Sequence, residues 1–110
     1  MLVLEVTVNG KRTCVAGTED LAVLTANVTA CGRLGSKTVP QREDETVDIF
    51  YSVGGLTGRR KPENDVHVRW KSVEPLAVGD VVQIRVLDSQ TADRAKSRKC
   101  ANREKARKKP

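Results

Sequence analysis

Aromatic side chains are almost absent from this chain: one Phe (Phe50), one Tyr (Tyr51) and one Trp (Trp70) in 110 residues. Any core must therefore be built from Val, Leu, Ile and Ala. Histidine occurs once, as His67, and the three cysteines, Cys14, Cys31 and Cys100, form no Cys-x-x-Cys pair. An odd, scattered set of thiols fits neither a disulfide framework nor a zinc site, so no metal or other cofactor is expected. No apolar run is long enough to cross a bilayer. The opening Met1-Leu2-Val3-Leu4-Glu5 has no basic segment leading into an apolar stretch, as an export signal would. The expectation is a cytoplasmic protein with no membrane partner. At this length the chain supports one modest core.

What the chain does have is an uneven charge. The net charge is +6, yet residues 1–88 hold 11 Lys and Arg against 12 Asp and Glu, a net of −1. Residues 89–110 hold 9 against 2, a net of +7. The basic character therefore belongs to the C-terminal stretch, and the domain organisation expected is a near-neutral globular unit over 1–88 followed by a basic disordered tail over 89–110.

Val is abundant, which favours strands. Leu2, Leu4, Val6 and Val8 alternate with Val3, Glu5 and Thr7, the period of a half-buried strand. Asn9-Gly10 then supplies a two-residue hairpin turn, and Lys11 to Ala16 return antiparallel. Thr18 reads as a helix N-cap with Glu19 and Asp20 in the first turn. Leu21, Leu24, Val28 and Cys31 follow at helical spacing, which predicts a helix ending near Gly32 or Gly35. Val23, Thr25, Val28 and Thr29 lower its intrinsic helicity and make it depend on docking. Ser36 to Thr46 reads as an exposed loop. Alternation from Val47 to Val53 predicts a third strand closed by Gly54-Gly55, and Gly54 to Asp65 a second loop. Val66, Val68 and Trp70 mark a fourth strand, with Trp70 as a core anchor. Gly79-Asp80 turns the chain into a fifth strand, in which Val82, Ile84 and Val86 share a face; that strand is expected at the centre of the sheet. The fold class expected is α+β: a hairpin, one helix, then three further strands in a mixed sheet, with the helix across one face.

Three stretches carry a resemblance: Val8-Asn9-Gly10 at the first turn, Asp20-Leu21 at the helix start, and Pro75-Leu76-Ala77-Val78-Gly79-Asp80-Val81-Val82 before the last strand. Together they resemble the β-grasp, or ubiquitin-like, superfamily, and within it the sulfur-carrier proteins of thiamine and molybdopterin synthesis. Those carriers act through a C-terminal Gly-Gly. This chain has no glycine after Gly79 and ends Arg107-Lys108-Lys109-Pro110. The resemblance thus implies the scaffold without the carrier chemistry.

No catalytic constellation stands out. Cys14 and His67 are the one pair that could serve as nucleophile and base, and each has a simpler reading, as a buried strand residue and a wet-face residue. The expectation is a non-enzymatic binding module that contacts the phosphate backbone of RNA or DNA, or a ribonucleoprotein. Its candidate contacts in the tail are Arg94, Lys96, Arg98, Lys99, Arg103, Lys105, Arg107, Lys108 and Lys109. A second group, Arg59, Arg60 and Lys61, lies in the glycine-rich stretch from Gly54, where backbone amides could approach a phosphate. The alternative partner is an acidic protein, met by the same charges with an exposed strand edge pairing to it. A small enzyme built on Cys14 or His67 ranks third.

Overall fold

The computed structural model describes residues 1–37, 47–58 and 65–100. These form seven strands: β1 (Leu2–Val8), β2 (Lys11–Ala16), β3 (Leu21–Gly32), β4 (Val47–Thr57), β5 (Val66–Pro75), β6 (Val82–Asp88) and β7 (Ser97–Cys100). They make two antiparallel sheets, one ordered β2-β1-β6 and the other β3-β4-β5-β7. Val6, Cys14 and Ala16 of the first sheet and Tyr51, Val53, Val68 and Trp70 of the second form one buried cluster, so the sheets lie face to face around a shared core. Among the described residues there is no helix, and therefore none long and apolar enough to cross a membrane.

The first hairpin is as expected. Val8 faces Lys11, and Asn9 and Gly10 take φ of 53° and 82°, the left-handed pair that a two-residue turn of this type requires. The third and fourth strands also form, with longer reach than their alternation suggested, and the fifth forms over seven residues.

The helix does not form, and the α+β, β-grasp-like class is thereby corrected to all-β: residues 21–32 are the twelve-residue strand β3. A bulge explains why the spacing misled. The register against β4 slips between Leu21 and Val23, which brings Leu21 and Leu24 to the same side despite their spacing of three. Ala26 and Val28 then follow Leu24 by the period of two. Leu21, Leu24 and Ala26 pack against the core, while Cys31 falls on the opposite face and is exposed. The β-branched residues that weakened the helix are at home in a strand. With no helix over a mixed sheet, the ubiquitin-like assignment loses the element that defines it.

Three further expectations change. Gly54-Gly55 does not end β4; both glycines sit inside it, facing Thr25 and Leu24 on one side and Arg69 and Val68 on the other. A side chain at Gly55 would run into the Val23 carbonyl, and a Cβ at Gly54 would lie 2.9 Å from the Val68 carbonyl oxygen, so the neighbouring backbones exploit the missing side chains. Among the described residues β6 pairs with β1 alone and is an edge strand rather than the central strand. The stretch expected to be a disordered tail is ordered as far as Cys100: residues 89–96 cross from the first sheet to the second, and β7 pairs with β5. Residues 101–110, and the loop expected over 36–46 from residue 38 on, lie outside the described residues.

Candidate nucleic-acid interface

The cross-strand registers set the site. In an antiparallel sheet, residues directly opposite each other point to the same face. Val68 is fully buried against the first sheet, so His67 and Arg69, its neighbours along β5, point away from the core, and both are exposed. Lys99 stands opposite His67, and Ser97 opposite Arg69. On the other flank Leu56 faces His67 and Gly54 faces Arg69, and beyond them Val23 and Thr25 of β3 complete the rows. Two rows therefore cross the outer face of the four-stranded sheet: Val23, Leu56, His67, Lys99, and Thr25, Gly54, Arg69, Ser97.

Because Gly54 has no side chain, the middle of these rows is a shallow depression of about 310 Å³, walled by Thr25, Asn27, Leu56, His67 and Arg69. The Thr25 hydroxyl donates to the Gly54 carbonyl at 3.3 Å and holds one wall. The floor includes the backbone of Gly54 and Gly55, and the β5 wall carries His67 and Arg69, with Lys99 of β7 opposite His67. Such a surface lets an extended, negatively charged chain come close to the sheet, with Lys99 and Arg69 on one side of it.

The segment that delivers Lys99 is well anchored. Asp93 accepts a hydrogen bond from the Val15 N–H through its carboxylate and donates its own N–H to the Val15 carbonyl, both at 2.8 Å. Its carbonyl accepts the indole N–H of Trp70 at 2.8 Å, and the Lys96 N–H donates to the Arg69 carbonyl at 2.7 Å. Ala95 packs on the core cluster. One acidic residue in a basic stretch thus ties the edge of the first sheet to the Trp70 side of the second.

The sequence-predicted residues divide into three groups. Lys99 lies on the outer face, and Arg94 and Lys96 are exposed on the segment leading to it. Arg98 faces the other way, opposite buried Val68, and its guanidinium meets the Asp20 carboxylate at 2.9 Å, pinning β7 to the start of β3. It is a structural clamp rather than a free cation on the outer face. Arg59, Arg60, Lys61, Arg103, Lys105, Arg107, Lys108 and Lys109 lie outside the described residues; by chain order the first three join β4 to β5, and the last five continue from the end of β7. His67 and Arg69 were not among the candidate contacts. Their alternation with Val66, Val68 and Trp70 did mark them as outward-facing, but only the pairing with β7 sets them beside Lys99.

Cys14 and His67 do not meet. Cys14 is buried between the sheets, where desolvation holds its thiol pKa above the usual range, whereas His67 is on the far face of the second sheet. Among the described residues no group of three or more His, Cys, Asp or Glu is placed to hold a metal ion. Compared with protein-family models, curated proteins and solved structures, the chain matches none.

Proposed function

We propose that this protein is a non-enzymatic module that binds the phosphate backbone of RNA or DNA across the outer face of its four-stranded sheet. The observation that supports it best is the β5–β7 pairing, which sets Lys99 opposite His67, where His67 and Arg69 line a depression floored by Gly54. The cations of residues 103–109 continue from the same strand. With no Phe, Tyr or Trp among the residues that line the depression, binding is mainly electrostatic and indifferent to sequence. The cytoplasmic location expected from cysteine usage belongs to the same proposal and suits the free thiols of Cys14 and Cys31.

The test is fluorescence anisotropy with labelled single-stranded and duplex oligonucleotides over a salt series. The logarithm of affinity should fall with the logarithm of salt at a slope of about −0.9 per phosphate contact for duplex and about −0.7 for single strands. The double substitution Arg69→Glu and Lys99→Glu should weaken binding with residues 101–110 intact, and removal of 101–110 should reduce the slope with the sheet face intact. Absence of salt-sensitive binding at low ionic strength would sink the proposal and favour an acidic protein as partner.

A further inference from the structure

Among the described residues the two sheets end in four strand edges, and two of these are protected. β2 has its outward Val15 backbone groups occupied by Asp93. β7 is four residues long and carries Arg98 and Lys99, the kind of short, charged edge that discourages pairing. β3 is longer, but it is bulged near its start and turns Thr25, Asn27 and Thr29 outward from the core. Among the described residues β6 has no bulge, no Pro and no segment bonded along its outer edge, and its charges are Arg85, opposite Glu5, and Asp88 at its end. It is seven residues long, and its large apolar side chains are exposed on both faces.

The direction of its free backbone groups follows from its pairing with β1. Met1 and Ser89 exchange two hydrogen bonds, at 3.0 and 2.9 Å, and Asn9 donates to the Val81 carbonyl at 2.8 Å. Odd-numbered residues of β6 are therefore the ones bonded to β1, and Val82, Ile84 and Val86 turn their N–H and C=O groups outward. Their side chains point to the core face but reach past the second sheet: Ile84 is 42% and Val86 65% exposed, and Val28 on the facing sheet is 54% exposed. Val28 and Ile84 border the same crevice.

We propose that β6 pairs with β6 of a second copy of this chain, antiparallel about a two-fold axis at Ile84, joining the two three-stranded sheets into one. A two-fold axis through the sheet requires paired residues to share a face, which leaves only registers centred on a residue. Centred on Ile84, Val82 meets Val86 and Ile84 meets itself on the core face, while Gln83 meets Arg85 and Val81 meets Leu87 on the outer face. Each apolar residue of the strand meets an apolar one, and the outward N–H and C=O groups of Val82, Ile84 and Val86 are all used. Centred on Arg85, the register would oppose two guanidinium groups and set Val82 against Asp88. Centred on Val86, it would set Ile84 against Asp88 and Arg85 against Leu87. The Ile84 register brings Asp88 near Asp80 past the strand end, where Asp88 already pairs with the N-terminal ammonium at 3.1 Å and Asp80 accepts from Asn9 and from the Ala77 N–H. An interface of one strand is small against the roughly 1,200–2,000 Å² of stable complexes, so the dimer is concentration-dependent.

Sedimentation equilibrium of the full chain over the micromolar to millimolar range should show a monomer–dimer equilibrium. Ile84→Lys places two ammonium groups on the axis and should weaken it by about tenfold or more. Val86→Pro removes an outward N–H that β1 does not use and should do the same, with the monomer's thermal transition preserved in at least one of the two. Single cysteines at 84, 85 and 86, in a background with Cys31→Ser and Cys100→Ser, report the register: cross-linking under mild oxidation should be fastest for Ile84→Cys. A chain that stays monomeric throughout, a dimer indifferent to Ile84→Lys, or preferred cross-linking at 85 or 86 would each overturn the proposal.

Discussion

The indole N–H of Trp70 donates to the backbone carbonyl of Asp93 at 2.8 Å, and through that bond the basic C-terminal stretch becomes part of the fold. Trp70 is 4% exposed, so its N–H needs a partner, and the chain supplies one from a segment that composition alone marks as tail. The same residue bonds both backbone groups of Val15 on the other sheet. Asp93 therefore couples the two layers.

That coupling can be measured. Asp93→Ala keeps the backbone bonds and loses only the carboxylate's bond to the Val15 N–H, which should cost about 1 kcal/mol in urea unfolding. Truncation after Asp88 removes β7, Asp93 and the partner of Trp70 together. It should lower both the unfolding midpoint and the slope with denaturant, since less surface remains to be exposed on unfolding.

A second prediction concerns pH. The Thr18 hydroxyl, donating to Asp20 at 2.7 Å, holds the Asp20 carboxyl below its ordinary range against the opposing effect of burial, and the Arg98 guanidinium at 2.9 Å adds to the lowering. A carboxyl depressed in the folded state contributes stability that is fully present above its unfolded value, about pH 4, and is lost as pH falls through the folded one. Thermal unfolding from about pH 5 down to about pH 2 should therefore decline less steeply in Asp20→Asn than in the wild type. The difference should be small, because the pair is exposed to solvent. A residual slope should persist from Asp80, whose carboxyl is likewise lowered, chiefly by the Asn9 amide.

The thiols should differ in reactivity. Cys31 is exposed on β3, whereas Cys14 is buried and desolvation keeps its thiol protonated. Mass spectrometry after brief treatment with an alkylating reagent at neutral pH should find Cys31 modified and Cys14 intact. Labelling of Cys14 should follow unfolding of the domain, and should rise in parallel with destabilisation by Asp93→Ala.

Much of this fold is written locally. Asn9-Gly10 between two alternating runs determines where the first hairpin turns, because few residue pairs accept left-handed backbone at both positions; past the turn the register slips between Val6 and Thr7, which sets Val6 opposite Cys14. The alternations around Tyr51, Val68 and Ile84 determine strands for the same reason: a period of two buries one face only in extended chain. The exposure of His67 and Arg69 is legible there too. Three things depended on tertiary structure. Leu21, Leu24 and Val28 satisfy a helical stripe and a bulged strand equally well, and the choice was made by β4, whose Gly55 lets β3 lie close along it. β6 has the pattern of a central strand, yet its place at an edge follows from which strands remain to pair with it, which no local pattern encodes. And the basic stretch has no apolar period to announce a strand; it is held by Asp93 reaching Val15 and Trp70 and by Arg98 reaching Asp20, contacts between residues more than twenty positions apart that exist only once the two sheets have met.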